Sequence, residues 1–484
     1  MLYQITPEVF AKIANPVFRD NVRIYFDIDA NFRSQIKQFG LPVAPDEPVT
    51  AKPIAAGEPA ATNEPVANNE QALSDNLLTT KNPAIEALAA KGLIIENDRK
   101  SLRTGWLSSS CFACRTGVGS ATYTISTRCP RSCFFCFNPN QANYEQLLHT
   151  NENPVAQLTE LHSHNMKLSD IALTGGEPLL HKEETLEFFN IARLFFSGAY
   201  TRLYTSGAFL DEPYLRELAN AGLQEIRFSY KTDDSQREQQ ETLNRIALAR
   251  KHLKYVVVEM PVMPDELKLM KELLLKLNGI GIDGINLLEL CFPFNNAKEF
   301  KRRGYKIKSR QMRVLYDYWY AGGLPIAGSE AACLGLLAFA LEQDFSMGVH
   351  YCSLENKFSG QIYQQNYYAQ QDYPYCLFSE RDYFLKSAKV FGQDAALVAD
   401  FLLNQAETQP KAQNKIQSQC LRFDEAEKIL EFSPVYLELL KDEHPNLEVA
   451  LSYHVVEQLE EGQRLRELRL DFTTPALFNA EEDL

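Results

Sequence analysis

The run Ala121-Thr-Tyr-Thr-Ile-Ser126-Thr-Arg-Cys129-Pro-Arg-Ser-Cys133-Phe-Phe-Cys136 passes from a short apolar, β-branched segment straight into a loop that carries three cysteines. Residues 121–126 read as a strand, and five more such runs follow at 171–174, 201–206, 225–230, 255–260 and 284–290. Helix-like stretches separate them, with recognisable ends. Asn153-Pro154 opens one, and Asp211 with Pro213 opens another that Gly222 closes. Strand-like runs that recur every ~25–50 residues are βα units, and six in succession predict an α/β fold, a partial (β/α)6 TIM-type barrel. In such a barrel the chemistry sits at the C-terminal ends of the strands.

Cys129, Cys133 and Cys136 have the spacing CxxxCxxC. Random placement of the 10 cysteines predicts on the order of 0.004 such matches, so chance is a poor explanation. Three thiolates on one short loop can reach three irons of a [4Fe–4S] cube and leave the fourth without a protein ligand. An open iron at a barrel mouth is a place for a substrate or cofactor to bind the metal directly.

With Thr174-Gly175-Gly176-Glu177-Pro178 after the second strand, this triad resembles the radical S-adenosylmethionine (radical SAM) enzymes over residues 121–290. The resemblance implies that the open iron chelates the amino and carboxylate groups of S-adenosylmethionine (SAM). An electron from the reduced cluster then splits the sulfonium into methionine and a 5′-deoxyadenosyl radical, which takes a hydrogen atom from the substrate. It also implies that Gly175, Gly176 and Glu177 hold the methionyl ammonium, that Ser206 and Ser229 at strand ends contact SAM, and that Phe135 packs near the adenine. Ser206 stands where the family more often has Asn. The residue types suit these roles, since glycines let carbonyls approach closely and a carboxylate favours a cation.

Glu259 and Glu289, near the ends of the fifth and sixth strands, are candidate proton donors or acceptors, although strand alternation can turn either one outward. Cys111-Phe-Ala-Cys114 precedes the first strand, and a CxxC in a reducing compartment suits metal or a second iron–sulfur cluster. Two ligands are too few. His350-Tyr-Cys352 is the candidate to complete the site, with Cys333, Cys376 and Cys420 in reserve; buried thiols that merely pack are the alternative. A CxxC before the first strand and a later His-Tyr-Cys resemble a group of radical SAM proteins related to the pyruvate formate-lyase activating enzyme. The later cysteines depart from the closely grouped ones of SPASM peptide maturases.

The chain has 484 residues and a net charge of −14, which argues against a nucleic-acid binder, and its longest apolar run, 331–341, is half of a bilayer span. The basic stretch 298–313 reads as a solvated surface or a dock for an acidic partner. The first residues have no basic or apolar leader pattern, so the expected location is cytoplasmic. The expected organisation is an N-terminal segment (1–41), a Pro/Ala/Glu-rich linker or loop (42–76), a small helix–strand segment with the CxxC (77–120), the barrel core (121–291) and a mainly helical C-terminal extension (292–484). Residues 422–469 read as charged and helical in period. The helix–strand fragment at 82–96 suits either the end of a winged-helix module or packing against the barrel.

The expected function is that of a radical SAM enzyme, served by an electron donor such as flavodoxin or ferredoxin. A peptide or protein substrate is favoured by the added N- and C-terminal segments, and deletion of 1–100 is expected to spare SAM cleavage. Small-molecule rearrangement or oxidation and glycyl-radical-enzyme activation fit the same residues. A non-catalytic iron–sulfur or zinc protein is the alternative of a different class.

Overall fold

The computed structural model describes residues 3–45, 82–309, 312–316, 322–408 and 418–484. The chain starts with β1 (Tyr3–Gln4) and the helices Pro7–Lys12 and Pro16–Gln38. Most of the expected linker lies outside the described residues. Then come β2 (Ile94–Glu96), β3 (Ser101–Thr104), β4 (Ser120–Thr124), β5 (Asp170–Thr174), β6 (Tyr200–Thr205), β7 (Glu225–Ser229), β8 (Tyr255–Val262) and β9 (Gly284–Glu289). A small pair, β10 (Cys291–Phe292) and β11 (Leu324–Pro325), precedes β12 (Gly348–Cys352).

The nine strands β2 to β9 and β12 form one sheet in the order β2-β3-β12-β9-β8-β7-β6-β5-β4. From β4 to β9 and on to β12 the pairing is parallel. The expected run of six parallel strands is therefore extended by a seventh, β12, and β3 caps it antiparallel. The fragment at 82–96 packs with the barrel, since β2 pairs with β3; it is not a winged-helix module. Helix ends follow their local signals: Asn153 and Asp211 each accept a backbone N–H as caps, and Gly222 closes its helix with φ +101°.

Strand alternation divides the sheet into two faces. Ile171, Leu173, Leu203, Ile226, Phe228, Val256, Val258, Ile285 and Leu287 are buried in the main apolar core. The other face carries Asp170, Arg202, Arg227, Glu259, Asn286 and His350, and it wraps the cysteine-bearing helix Ser109–Thr116. Within that wrap, Ser110 donates to Asp170, Arg227 reaches Cys111, and Trp106 stacks on Tyr255 at 5.4 Å. The interior of this partial barrel is therefore polar.

The expectation of a mainly helical C-terminal part is overturned. Strands β13 (Leu377–Phe378), β14 (Leu385–Phe391), β15 (Leu421–Asp424), β16 (Ile429–Phe432), β17 (Val449–Leu459) and β18 (Gly462–Thr473) join β1 in a seven-stranded antiparallel sheet. A register shift at Tyr453/His454 skips Leu468, so the apolar positions move from odd (Leu465) to even (Leu468, Leu470, Phe472). Leu465 and Leu468 then stand three apart, which mimics a helical period. Part of the basic stretch is paired internally: Arg303 pairs with Glu299 at 2.8 Å and Asp233 at 3.0 Å, and Lys308 with Glu330 at 2.5 Å.

On β14 of this sheet, Lys386 is 1% exposed and lies 3.0 Å from Asp382, which Arg313 also approaches at 3.3 Å. Burial opposes ionisation of Asp382, but Lys386 and Arg313 hold its carboxyl well below the usual carboxylate range. The resulting stabilisation is complete above the unfolded pKa near ~3.9 and is lost as pH falls through the folded value. Asp382→Ala leaves the buried Lys386 without its carboxylate and is expected to cost about 3–5 kcal/mol in guanidinium denaturation. Its acid dependence should also be shallower than the parent's.

Candidate active site

Cys129, Cys133 and Cys136 lie on the loop that leaves the C-terminal end of β4. The Gly175-Gly176-Glu177 turn leaves β5 beside it, and backbone hydrogen bonds zip the two together. Gly176 N–H donates to the Ser126 carbonyl at 2.9 Å, and Glu177 N–H to the Arg128 carbonyl at 2.8 Å. The approach is so close that a Cβ on Gly176 would sit 2.0 Å from the Arg128 oxygen. Gly175 has φ +119°, and its Cβ would meet Thr124 at 2.6 Å.

From the opposite side, Asn138 Nδ2 donates to the Gly175 carbonyl at 2.8 Å, Asn295 Nδ2 to the Cys136 carbonyl at 3.3 Å, and Asn296 Nδ2 to the Phe134 carbonyl at 3.2 Å. Phe135 packs edge-on against Phe134 at 5.0 Å and stays partly buried.

Burial raises all three thiols, Cys133 to about 11, and Cys136 adds to the rise at both Cys129 and Cys133. Lys231, after β7, opposes the rise at Cys133 and favours its thiolate. The thiols do not meet as a single ion requires: among the described residues, only Cys376, Glu431 and His454 bring three donor atoms within 4.8 Å of one another. A tetrahedral zinc with Zn–S near 2.3 Å holds its sulfurs about 3.8 Å apart. A cube gives each thiolate its own iron, so the wider set fits a [4Fe–4S] cluster. The Cys376 group has Lys389 at 3.7 Å and Arg422 at 3.6 Å from Glu431, with Ser387 donating to Glu431. These cations already serve the carboxylate.

Glu177 is 2% exposed. Its Oε1 accepts from Thr205 Oγ1 at 2.6 Å and Leu179 N at 3.2 Å, and its Oε2 from Ser206 N at 2.7 Å and Ser206 Oγ at 2.5 Å. Its carboxylate therefore ties the turn after β5 to the end of β6. Ser206 is buried as Glu177's partner, whereas Ser229 is exposed at the end of β7.

Glu259 faces the interior and accepts from Arg227 Nη1 and Asn286 Nδ2, both at 2.8 Å. Glu289 points outward, away from the barrel interior. Its Oε2 accepts from Leu354 N at 2.9 Å, and Lys308 lies 3.5 Å away; burial pushes its carboxyl up against the pull of Lys308. A proton-transfer role within the barrel is thus excluded for Glu289 by the alternation of β9.

His350 is not a free metal ligand, contrary to expectation. Its Nδ1 lies 3.0 Å from Asn286 Oδ1 and its Nε2 2.9 Å from Ser101 Oγ, and burial pushes it down to about 3, so the ring is neutral. Cys111, Cys114 and Cys352 lie on packed neighbouring elements, since Gly360 of the helix after Cys352 passes against the Cys114 carbonyl. Cys333 is fully buried in the core helix Ser329–Glu342, while Cys376 and Cys420 sit in the C-terminal unit. Sequence reasoning missed Arg202, Arg227 and Asn286. Their alternation on β6, β7 and β9 with apolar neighbours was the available signal.

Residues 123–277 match the model of the Radical SAM superfamily. They form a radical SAM domain. A Methanocaldococcus jannaschii protein named as a glycyl-radical enzyme activating enzyme is 27% identical over 256 residues, 51% of this chain and 63% of its own length. The PqqA peptide cyclase of Gluconobacter oxydans is 31% identical over 106 residues, 22% of this chain and 28% of that protein. The chain thus spans less than two thirds of either relative. Among solved structures, Streptococcus suis SuiB bound to its precursor peptide SuiA is 12% identical, with a TM-score of 0.37 over 64% of this chain and 60% of that one.

The contact at Gly176 gives a direct test of the radical SAM domain's loop pair. Gly176→Ala forces the Arg128 backbone aside, which costs about 1–3 kcal/mol by overpacking, and should lower the reconstituted iron content below the parent's. Gly198→Ala, where nothing lies within 4 Å of a Cβ, should retain the parent's iron content.

Proposed function

We propose that this protein is a radical SAM enzyme that acts on a peptide or protein. The observation that carries the reading is the seating of the three-thiol loop on the Gly175–Gly176 turn at the C-terminal mouth of a parallel barrel, with Glu177 fixing that turn to Ser206. Cys129, Cys133 and Cys136 would hold a [4Fe–4S] cluster; the carbonyls of Gly175 and Gly176 would receive the methionyl ammonium of SAM; Ser229 offers an exposed hydroxyl on the same rim. When bound and reduced, the cluster with SAM supplies a 5′-deoxyadenosyl radical for hydrogen abstraction.

The chain's own residues set the field around that chemistry. Lys231 faces Cys133 and favours its thiolate, while Asn138, Asn295 and Asn296 hold the loop's backbone. Inside the barrel, Arg227 is anchored by Glu225 at 2.5 Å and Glu259 at 2.8 Å, so Glu259 is oriented and charge-balanced within the interior. Glu259 is the interior carboxylate for holding or moving a substrate proton. A peptide or protein substrate is supported by the names of the two relatives, one an activating enzyme and the other a peptide cyclase. A flavodoxin or ferredoxin is the class of electron donor that such a cluster requires, and a reducing, cytoplasmic setting suits ten free cysteines.

Anaerobically reconstituted protein should be brown and release 5′-deoxyadenosine from SAM on reduction. Cys133→Ala should bring that release to background, a fall of at least ~100-fold if the cluster's electron is the only route. Colourless, zinc-loaded protein that leaves SAM intact would overturn the reading.

A further inference from the structure

Three further cysteines meet on the interior face of the barrel, and the proposed SAM chemistry does not use them. Cys111 and Cys114 stand one turn apart on the helix Ser109–Thr116, and Cys352 ends β12 on the interior-facing side. Several contacts bring them together. Arg115, next to Cys114, lies 3.4 Å from Ser101 Oγ, and Ser101 is the cross-strand partner of Cys352. Gly360, on the helix that follows Cys352, passes so close that its Cβ would meet the Cys114 carbonyl at 2.8 Å. Cys111 and Cys114 both perturb the Cys352 thiol.

The groups around these sulfurs are donors and cations. Arg227 Nη2 donates to Cys111 Sγ at 3.4 Å, Asn286 Nδ2 to the same sulfur at 3.6 Å, and Asn356 Nδ2 to Cys352 Sγ at 3.2 Å. Such hydrogen bonds to sulfur stabilise thiolates that ligate iron. Arg202, with a side chain 6% exposed, faces Cys114; it lies over the Tyr204 ring at 5.7 Å, among the described residues its one ion pair is with Asp170 at 3.8 Å, and its buried Nε has no hydrogen-bond partner there. A buried guanidinium left short of acceptors marks a place where more negative charge belongs.

We propose that Cys111, Cys114 and Cys352 hold a second [4Fe–4S] cluster inside the barrel. A mononuclear zinc fits poorly, because these thiols are not gathered within 4.8 Å of one another and both nitrogens of His350 are engaged by Ser101 and Asn286. Three thiolates on separate irons take the wider spacing and bring the negative charge that Arg202 and Arg227 await. His350 is then a positioning residue: it orients Asn286, whose amide donates to Cys111.

The test is iron and acid-labile sulfide content in the full chain, reconstituted anaerobically with ferrous iron and sulfide. The parent should bind about eight irons, and both the Cys129→Ala/Cys133→Ala/Cys136→Ala variant and the Cys111→Ala/Cys114→Ala/Cys352→Ala variant about four. The second variant should still bind SAM, as read by calorimetry, and the reduced spectra of the two clusters should differ by electron paramagnetic resonance. Four irons in the parent that are lost in the Cys129/Cys133/Cys136 variant, or eight irons persisting after loss of Cys111, Cys114 and Cys352, would overturn the second cluster. Either result leaves the SAM-binding loop standing. Conversely, an iron-free Cys129/Cys133/Cys136 loop with four irons still bound inside would sink the radical SAM reading alone.

Discussion

The close contact between two loop backbones governs the candidate site. Gly176 lies against the Arg128 carbonyl with no room for a methyl group, and the flanking N–H groups of Gly176 and Glu177 bind the carbonyls of Ser126 and Arg128. This contact sets the position of a loop whose three side chains have little else to hold them, since a cysteine offers only a weak donor and acceptor. Glu177 extends the constraint sideways: with four donors on one carboxylate, the ends of β5 and β6 move together. Three strand ends are thus joined through one Gly-Gly-Glu turn, and preorganisation of a site for a charged cofactor needs that rigidity.

The barrel interior follows a different rule. Isolated buried charge is costly, so every interior cation needs a local account. Arg227 has one, through Glu225, Glu259 and the Tyr204 ring at 5.4 Å. Arg202 has much less. The helix Ser109–Thr116 supplies the missing groups in the form of thiols, which carry charge only once deprotonated, and metal binding is what deprotonates a thiol at neutral pH. An interior lined by arginines and cysteines is therefore more self-consistent with iron than without it.

Much of the fold was legible because its signals are local. The six strand-like runs coincide within two residues with β4 to β9, and the caps at Asn82, Asn153 and Asp211 hold the helices that those residues announce. What escaped is non-local. β12 looked like part of an extension because 58 residues separate it from β9. The sheet strand β18 hid behind the bulge that shifts its alternation. At the site, the cysteine spacing announced the ligands, but the partners of a histidine cannot be read from spacing: His350 is consumed by Ser101 and Asn286, which are 249 and 64 residues away. The inward or outward turn of Glu259 and Glu289 depended on strand phase, and the two residues lie on opposite faces of their strands.

The N-terminal segment belongs with the C-terminal sheet. β1 pairs with β18, Phe18 stacks on Phe391 at 4.6 Å, and both Glu448 oxygens accept backbone N–H groups of Ala14 and Asn15 at 2.7 and 2.8 Å. Residues 94–104 meanwhile supply β2 and β3, of which β3 borders β12 and so helps to position Cys352, while β2 is its edge partner. Removal of residues 1–100 would therefore strip an edge strand from each sheet, β1 from one and β2 from the other, and any loss of turnover would report damage to both units. The idea that this segment recognises a substrate has to be addressed by single surface substitutions, on positions such as Ile24 and Ile28 that stay exposed on the helix Pro16–Gln38. Those side chains hold no strand in place, so an effect on substrate turnover with unchanged melting would separate recognition from folding.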